Sequence, residues 1–248
     1  MIRIIIPSYN NEKWLKANVE SALNQDHKDF QILYCNDAAS DSSLSLLSQI
    51  TDPRLKVITA TRRKGNVNGI YNAVHQHTQP DDICIILDGD DTLAHPQVLS
   101  RVQAEYNNPN VWLTYGSYRT SSGDIGCSQP IPARVIHSNS HRRAPWRSSH
   151  LRTFRSWLFK NIKAEDLQIG NRWINTAGDL AIMFPMLEMA GDHSSYIPDI
   201  LYIYNDNTGH NDHILRRQQQ IQMEMRLRSA QRYQPLTPKA IDCYYFSM

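Results

Sequence analysis

Three carboxylates follow an apolar run in the fourth predicted strand of the chain. Asp88, Asp90 and Asp91 stand around Gly89, directly after residues 83–87. A strand that ends in this way places negative charge at the carboxyl edge of a sheet, where open α/β proteins bind ligands. Carboxylates this close repel one another unless a cation or strong hydrogen-bond donors lie between them. Oxygen ligands favour Mg²⁺, Mn²⁺ or Ca²⁺, but a turn or a helix N-cap would use the same residue types, so the cluster alone leaves both interpretations open.

Strands and helices alternate around this cluster in the N-terminal part of the chain. Apolar runs predict strands over Ile2–Ile6, Phe30–Cys35, Leu55–Ile58 and Ile83–Leu87. Apolar stripes at helical spacing predict the helices between them, which begin at Asn10 or Asn11, at Ser40 or Asp41, and after Gly65. Strands that alternate with helices imply right-handed βαβ units, so the sequence predicts an α/β fold with a mostly parallel central sheet flanked by helices.

The pattern is less regular after about residue 106. Residues 128–149 are rich in Pro, Ser, His and Arg without periodicity, which suggests a mobile or substrate-covering loop. No internal repeat and no strong domain boundary is visible, so we expect one domain. The remaining elements are predicted as strands over Trp112–Tyr118 and Tyr196–Tyr204, and as helices over Leu151–Phe159, Asp179–Met189 and about Asp212–Arg232.

Composition narrows the class of protein. The 248 residues include 41% apolar side chains and carry a formal net charge of +2, so a full core can form and no bulk field attracts nucleic acid. Four cysteines lie far apart without metal-ligand spacing, which favours a reduced intracellular protein. The chain shows no signal-peptide pattern and no apolar run of membrane-spanning length. We therefore expect a cytoplasmic protein whose basic final helix offers peripheral contact with a membrane.

Four polar segments follow the four N-terminal strands, at Pro7–Asn10, Asn36–Asp37, Arg62–Gly65 and Asp88–Asp91. Chain order and handedness bring all four to one edge of the sheet. No glycine-rich phosphate loop is present, which disfavours dehydrogenases and ATPases. The four segments together nevertheless offer what a nucleotide diphosphate needs.

Each segment has a group that suits one part of such a ligand. Asp37 can accept a hydrogen bond from a base or a ribose hydroxyl, and the backbone of Pro7–Tyr9 can line the base. The cationic side chains of Arg62–Lys64 can meet phosphate oxygens. Asp90 can hold a metal ion between the two phosphates, which would leave Asp91 to support the turn.

These segments resemble family 2 glycosyltransferases of the GT-A fold. That family typically has a strand ending in Pro-x-Tyr-Asn, a second ending in Asp-Asp-Gly-Ser-x-Asp, and a third motif similar to Asp-x-Asp-Asp. Here these motifs are Pro7-Ser-Tyr-Asn10, Asn36-Asp-Ala-Ala-Ser-Asp41 and Asp88-Gly-Asp-Asp91. Gly65–Asn72 is a fourth matching segment between the last two, and the resemblance spans about residues 2–105. We therefore expect a single GT-A (Rossmann-like) domain over residues 1–232, with a nucleotide-sugar half over 1–105, an acceptor half over 106–232, and a C-terminal tail over 233–248.

The resemblance implies roles for individual residues. Asp37 would contact the nucleobase, Asp88 the ribose or the metal, and Asp90 the metal, which is Mn²⁺ or Mg²⁺. The enzyme would be inverting and would move a sugar from a UDP-sugar to a hydroxyl of a glycan, lipid-linked or protein acceptor. Asn36-Asp37-Ala38-Ala39 stands where the family usually has Asp-Asp-Gly-Ser, and the loss of one carboxylate and of the glycine bears on base preference. The expected donor-binding residues are Pro7, Ser8, Tyr9, Asn10, Asp37, Arg62, Arg63, Gly65, Asn72, Asp88 and Gly89.

An inverting enzyme needs a base that deprotonates the acceptor hydroxyl on the face opposite the leaving nucleotide. In the family this base is often an Asp that opens a late helix. Asp179 begins a predicted helix and is followed by Glu188 and Gly191 much as the family continues. Asp166 is the alternative, in a literal Glu-Asp pair without such a helix after it. Asp179 is favoured, although it would also suit an N-cap.

Other polar residues have weaker signals. Either His210 or His213, in a turn before the last helix, is a candidate third metal ligand, with a surface loop as the common alternative. His150 and Arg152 are candidates for acceptor or phosphate binding. The basic segment 141–147 offers a diphosphate contact, although a solvated loop is more common for such a composition.

Two other functions remain open from the sequence. A sugar nucleotidyltransferase has a related fold but usually needs a glycine-rich N-terminal signature, and this chain has Pro7-Ser-Tyr-Asn10 instead. A non-catalytic nucleotide-binding or carbohydrate-binding module is the second alternative. The presence of Asp88 and Asp90 together with a candidate base argues against such a module.

Overall fold

The computed structural model describes residues 1–208 and 217–237. Its N-terminal part consists of four strands that alternate with helices, as the sequence predicts. The strands are β1 (Ile2–Ser8), β2 (Phe30–Asn36), β3 (Leu55–Thr59) and β4 (Ile83–Ile86). The connecting helices are α1 (Glu12–Leu23), α2 (Ser43–Ser48) and α3 (Asn66–His77).

The second part contributes the remaining strands and helices. The strands are β5 (Thr92–Leu93), β6 (Leu113–Thr120), β7 (Ser149–Arg155), the β8–β9 hairpin (Gln168–Ile169 and Arg172–Trp173) and β10 (Ser194–Tyr204). The helices are α4 (Val98–Tyr106), α5 (Ala133–His137), α6 (Ser156–Lys160), α7 (Gly178–Ala190) and α8 (Arg217–Ser229). Within the described residues, no helix has the length and apolar character that a membrane span requires.

One mixed sheet joins both parts in the order β3-β2-β1-β4-β7-β6-β10-β5. Parallel pairing connects β3, β2, β1 and β4, and also β6 with β10. Only β7 and β5 run in the opposite direction within this described sheet. The predicted α/β fold with a mostly parallel central sheet is therefore confirmed.

A hydrophobic core lies on each face of the sheet, because successive strand residues point to opposite sides. In β1, Ile5 packs with α3, α6 and α7, whereas Ile4 and Ile6 pack with α1, α2 and α4. Both faces of the central strands are covered, and this explains why those strands are almost continuously apolar in sequence.

The helix predicted over Leu151–Phe159 is wrong. Residues up to Arg155 form β7, which pairs with β4 and β6 at the centre of the sheet, and only the following residues are helical as α6. The apolar spacing of Leu151, Phe154 and Leu158 also fits a helix, which explains the error. In the structure Leu151 and Phe154 belong to the cores on opposite faces of the sheet.

The segment 128–149 also differs from the prediction of a solvated or substrate-covering loop. It contains α5 and a 3₁₀ turn over His141–Arg143. His141 is 4% exposed and Arg142 is 5% exposed, so both side chains lie inside the protein. Arg142 forms a buried ion pair with Glu188 of α7, which makes it a structural residue. The local composition suggested a solvated segment, because the partner of Arg142, Glu188, lies far along the chain.

Candidate active site

The carboxyl ends of β1 to β4 open onto one cleft of about 1120 Å³. Ligand sites in proteins commonly measure about 300–1,000 Å³, so this cleft has room for a ligand as large as a nucleotide sugar. Its walls include segments from the ends of all four strands and from β7, the β8–β9 hairpin and α7. Among the predicted site residues, the cleft is lined by Pro7, Ser8, Tyr9, Asn10, Asp37, Arg62, Arg63, Gly65, Asp88, Gly89, Asp90, His150, Arg152 and Asp179.

Two predicted residues lie elsewhere. Asn72 is on the second turn of α3, where its amide donates to Asn68 Oδ1 at 3.2 Å, and it is not among the residues that line the cleft. Asp166 is exposed in a 3₁₀ turn and accepts a hydrogen bond from the Tyr233 hydroxyl. His210 and His213 fall outside the described residues.

The turn that follows β4 is held by side chains from distant parts of the chain. Asn18 of α1 donates from Nδ2 to the carbonyl oxygens of Asp88 and Asp91, at 2.8 Å each. Tyr202 of β10 donates from its hydroxyl to Asp91 Oδ2 at 2.6 Å and accepts from the Asp88 amide at 3.2 Å. The Asn205 amide donates to Asp91 Oδ1 at 2.7 Å. Asp91 is only 2% exposed and therefore supports the turn, and Asp88 and Asp90 line the cleft beside it.

The carboxylates of this turn carry more negative charge than their surroundings neutralise. Burial raises the pKa of Asp91 to about 8, and the charges of Asp88 and Asp90 add to this effect. Burial also raises the pKa of Asp88; the charge of Arg152 opposes the increase, whereas Asp179 adds to it. A hard divalent cation among these oxygens would relieve the repulsion.

The turn over residues 88–91 offers carboxylate oxygens to the expected metal ion. Carboxylate oxygens suit Mn²⁺ or Mg²⁺, and the crowded charge at Asp88–Asp91 favours a cation. Within the described ranges, no group of three or more His, Cys, Asp or Glu side chains is placed to hold a metal ion. A cation at this turn would accordingly need further oxygens, such as those of a bound diphosphate.

Gly89 is explained by the packing of the turn. A Cβ atom at this position would lie 2.5 Å from Asn11 Nδ2 and 2.8 Å from Ser8 Oγ. A side chain at this position would therefore clash with the protein itself. Ser8 is fixed in place, because its hydroxyl accepts from Tyr34 at 2.7 Å and from Asn11 at 3.1 Å.

Asp37 organises the basic loop after β3. Its Oδ1 accepts from the Lys64 amide and its Oδ2 accepts from the Gly65 amide, both at 2.7 Å. A carboxylate has about four acceptor positions, so Asp37 can still accept from a ligand. Gly65 has φ of +93°, a conformation that favours glycine, and it leads directly into α3.

Arg63 of the same loop stacks on Tyr9. The guanidinium carbon lies 3.7 Å from the centre of the Tyr9 ring, in a cation–π contact. This contact links the end of β1 to the loop after β3 across the mouth of the cleft. Two of the predicted donor-binding segments are thus held together before any ligand binds.

Asp179 stands in the first turn of α7 and faces this cleft. Its charge is close enough to Asp88 to raise the pKa of that carboxyl. The preceding residue, Gly178, is packed so tightly that a Cβ atom there would lie 2.8 Å from Val67 of α3. This close approach of α7 to α3 places Asp179 near the strand ends. Asp166 does not line the cleft.

Strand β7 carries His150 and Arg152 to the wall of the cleft. Arg152 Nη2 lies 3.4 Å from Asp88 Oδ2 and 2.9 Å from His150 Nδ1. Burial, and then the charge of Arg152, lower the pKa of His150 well below its usual value, so this imidazole is neutral. Its ring stacks on Tyr202 with 4.2 Å between ring centres.

Sequence reasoning missed several residues of the site. Asn18 had a signal, since it is a polar residue on the buried face of α1 between Leu15 and Val19. Tyr202 and Asn205 had none, because each meets its carboxylate partner across more than a hundred residues of chain. The cleft is also lined by Trp14, Asn171, Arg172, Trp173, Asn175 and Gln220.

A family model described as glycosyl transferase family 2 matches residues 3–177. The chain belongs to glycosyl transferase family 2. The predicted family is therefore confirmed. Membership gives no support to the alternative of a sugar nucleotidyltransferase.

Two relatives illustrate the family. The Escherichia coli protein WfgD, a UDP-Glc:alpha-D-GlcNAc-diphosphoundecaprenol beta-1,3-glucosyltransferase, is 29% identical over 118 residues, which cover 48% of this chain and 46% of WfgD. The putative glycosyltransferase CsbB of Bacillus subtilis is 33% identical over 104 residues, covering 40% of this chain and 30% of CsbB. The chain thus spans about half the length, or less, of these curated relatives.

Solved structures share the fold. Residues 1–349 of S. aureus TarS, in complex with UDP-GlcNAc, match with a TM-score of 0.66 at 18% identity, over 84% of this chain and 59% of that one. The mannosyltransferase PcManGT from Pyrobaculum calidifontis, in complex with GDP-Man and Mn²⁺, matches with a TM-score of 0.64 at 17% identity, over 94% of this chain and 65% of that one. At these identities the likeness shows the fold alone, and the predicted GT-A architecture is confirmed.

Proposed function

We propose that this protein transfers a sugar from a nucleotide diphosphate sugar, a UDP-sugar ahead of other nucleotides, to a hydroxyl group of an acceptor. The observation that carries the proposal is that Asp179 and the Asp88–Asp91 turn share one cleft and are close enough to interact electrostatically. A glycosyl transfer needs a base near the sugar carbon and a charged site for the leaving diphosphate, and this cleft combines both. Family membership supports the same reaction.

The nucleotide part of the donor would lie over the ends of β1 and β2. Asp37 would accept a hydrogen bond from the base, and Tyr9 under Arg63 would form one wall. Arg62 and Arg63 are exposed on the loop after β3, where their guanidinium groups would meet phosphate oxygens. The comparison with a UDP-GlcNAc complex of the same fold supports this class of donor.

We further propose that the reaction uses Mn²⁺ or Mg²⁺ held by Asp90. When bound, such a cation offsets the negative charge that develops on the leaving diphosphate. Support comes from the raised pKa of Asp91, which reflects the burial and crowding of the three carboxylates, and from the Mn²⁺ in PcManGT. His210 or His213 as a further ligand stays a prediction.

Asp179 is proposed as the base of a single displacement that inverts the configuration at the sugar carbon. Its carboxylate would take the proton of the acceptor hydroxyl as the oxygen attacks. Asp179 stands in the first turn of α7, at the end of the helix where backbone N–H groups point outward. Asp166 is outside the cleft and is not proposed for this role.

For the acceptor, we propose a lipid-linked sugar diphosphate ahead of a free glycan or a protein. WfgD acts on a diphosphoundecaprenol-linked acceptor, and Arg172 and Arg152 line the same cleft as Asp179. Guanidinium groups bind diphosphate oxygens well. A lipid acceptor would bring the protein to a membrane surface as a peripheral protein in the cytoplasm.

Thermal-shift measurements with single nucleotide sugars, with and without Mn²⁺, test the proposal. A specific donor at about 100 times its Kd should add about 2.7 kcal/mol of stability. Transfer to a lipid diphosphate GlcNAc analogue would then be followed by mass spectrometry, and proton NMR of the product would give the anomeric configuration. Binding without hydrolysis or transfer would favour a binding module, and retention of configuration would contradict the single displacement.

A further inference from the structure

Asp41 is the last residue of the second predicted motif, yet it is not among the residues that line the cleft. We propose that Asp41 and Glu12 are positioning residues of the donor site. Each carboxylate accepts a hydrogen bond from a backbone amide of the other's segment, and together they set the distance between the turn after β1 and the loop after β2, where the nucleotide binds. The inference rests on the proposed function, because it concerns the nucleotide end of the same cleft.

The two carboxylates form reciprocal hydrogen bonds, and we call them the Glu12–Asp41 pair. Asp41 Oδ2 accepts from the Glu12 amide at 2.9 Å, and Glu12 Oε2 accepts from the Ser42 amide at 2.7 Å. The Glu12 amide is the first of α1 and has no partner within the helix, and the N-cap residue Asn11 supplies no side-chain bond. The start of α1 is therefore capped by a residue 29 positions further along the chain.

Asn10 adds a third bond between the same two segments. Its Oδ1 accepts from the Ser40 amide at 2.9 Å. The backbone of Asn10 has φ of +54°, a left-handed conformation that asparagine tolerates better than most residues. Because Asn10 follows Tyr9 directly, the path of the chain next to Tyr9 is coupled to the loop after β2.

These side-chain bonds begin where the backbone ladder ends. The ladder between β1 and β2 ends at the pair Ser8–Asn36, and the Asp37 amide donates to the Ser8 carbonyl at 2.9 Å. Tyr9 and Asp37 are the next residues of the two segments and line the cleft, whereas the Glu12–Asp41 pair does not. The pair can thus affect a nucleotide through the spacing of Tyr9 and Asp37 rather than by contact.

Calorimetry of UDP and of inorganic pyrophosphate, both with Mn²⁺ present, tests the inference. Pyrophosphate has neither base nor ribose, so its affinity reports on the phosphate-binding groups alone. Glu12→Ala removes the acceptor of the Ser42 amide and should weaken UDP binding about fivefold, which corresponds to about one net hydrogen bond. Pyrophosphate affinity should change by less than about twofold, because the loop after β3 is not part of the pair.

A conservative variant separates the hydrogen bond from the charge. Glu12→Gln keeps a side-chain carbonyl that can accept from Ser42, and it should restore UDP affinity to within about twofold of the unmodified protein. Asp41 accepts from two amides, those of Glu12 and Ser43, whereas an asparagine side chain has one acceptor oxygen. Asp41→Asn should therefore weaken UDP binding about as much as Glu12→Ala does.

A double variant and a control complete the set. Glu12→Ala/Asp41→Asn should lose little more UDP affinity than either single variant, because both bonds act on one spacing. Glu20 is the control: it is an exposed carboxylate of the same helix, paired with Lys16. Glu20→Ala should leave the affinities for UDP and for pyrophosphate unchanged.

The outcomes that would overturn the inference are distinct. Equal losses of UDP and pyrophosphate affinity would indicate a general structural defect, and unchanged UDP affinity in Glu12→Ala would show that the pair does not act on the donor site. If Asp41→Asn does not fold, Glu12→Ala and Glu12→Gln decide the question, since Glu12 is exposed. If the unmodified protein binds no nucleotide diphosphate, the proposed function fails, and this inference fails with it.

Discussion

The Arg142 guanidinium and the Glu188 carboxylate form a buried pair joined by two hydrogen bonds, Nε to Oε1 at 2.6 Å and Nη2 to Oε2 at 2.9 Å. Nη1 of Arg142 also donates to the Leu227 carbonyl in α8, and the Tyr233 amide donates to Glu188 Oε2. One ion pair therefore joins the segment 128–149 to α7, to α8 and to the residues after α8.

Breaking this pair should destabilise the protein strongly. Glu188→Leu leaves the Arg142 charge buried without its partner, which typically costs about 3–5 kcal/mol. The double variant Arg142→Met/Glu188→Leu removes both charges and should lose less than either single variant. Urea unfolding followed by tryptophan fluorescence and circular dichroism measures these differences.

A surface pair provides the matched control. Arg54 and Asp52 have the same two-bond geometry, but their side chains are 29% and 24% exposed. Arg54→Met should cost only about 0–1 kcal/mol, because water screens and replaces the interaction. A loss at Glu188 no larger than the loss at Arg54 would contradict a structural role for the buried pair.

The neighbouring His141 should make stability depend on pH. Burial, with the charge of Arg142 as second cause, lowers the pKa of His141 from its usual 6.5 to about 4. Between these values the unfolded chain binds more protons than the folded one, so the free energy of unfolding falls as pH falls from about 6.5 to about 4. The contribution is fully present above this window and amounts to about 3 kcal/mol, since one pKa unit corresponds to about 1.36 kcal/mol.

Difference measurements isolate this contribution. In His141→Phe the free energy of unfolding should vary less between pH 7 and pH 4 than in the unmodified protein, by about 3 kcal/mol. Parallel curves for His141→Phe and the unmodified protein would show that His141 does not titrate between the two states.

Ala38 occupies a conformation that favours glycine. Its φ is +55°, and it stands where the family usually has glycine. A left-handed conformation costs an L-residue about 1–2 kcal/mol, and part of the gain from glycine is lost to the greater freedom of the unfolded chain. Ala38→Gly should therefore stabilise the protein by about 0.5–1 kcal/mol in urea unfolding. Ala39→Gly is the control and should destabilise it, because Ala39 has no positive φ.

The sequence predicts the donor side of the cleft well for a physical reason. The period of the apolar residues determines which face of a strand is buried, and chain order determines at which edge of the sheet the strand ends. Asp37 and Asp88 could therefore be assigned to one site from the local sequence. The strand β7 escaped prediction because its apolar spacing fits two kinds of element. The partners of Asp91 and Arg142 escaped it as well, since Tyr202 and Glu188 lie 111 and 46 residues away and a local pattern carries no information about them.

The choice between the two candidate bases can be decided by a pair of isosteric variants. Asp179→Asn keeps the shape of the side chain in the cleft but cannot accept a proton from the acceptor hydroxyl. Loss of a general base typically costs about 10²–10⁴-fold in rate, so transfer should fall by that factor while UDP binding stays within about threefold. Asp166→Asn should retain full transfer, because Asp166 is exposed and bound to Tyr233 outside the cleft. Initial rates with saturating donor, together with calorimetry of UDP binding, separate a chemical defect from a binding defect. Normal transfer by Asp179→Asn combined with a loss in Asp166→Asn would reverse the assignment and would require the 3₁₀ turn over Ala164–Leu167 to move toward the cleft during the reaction.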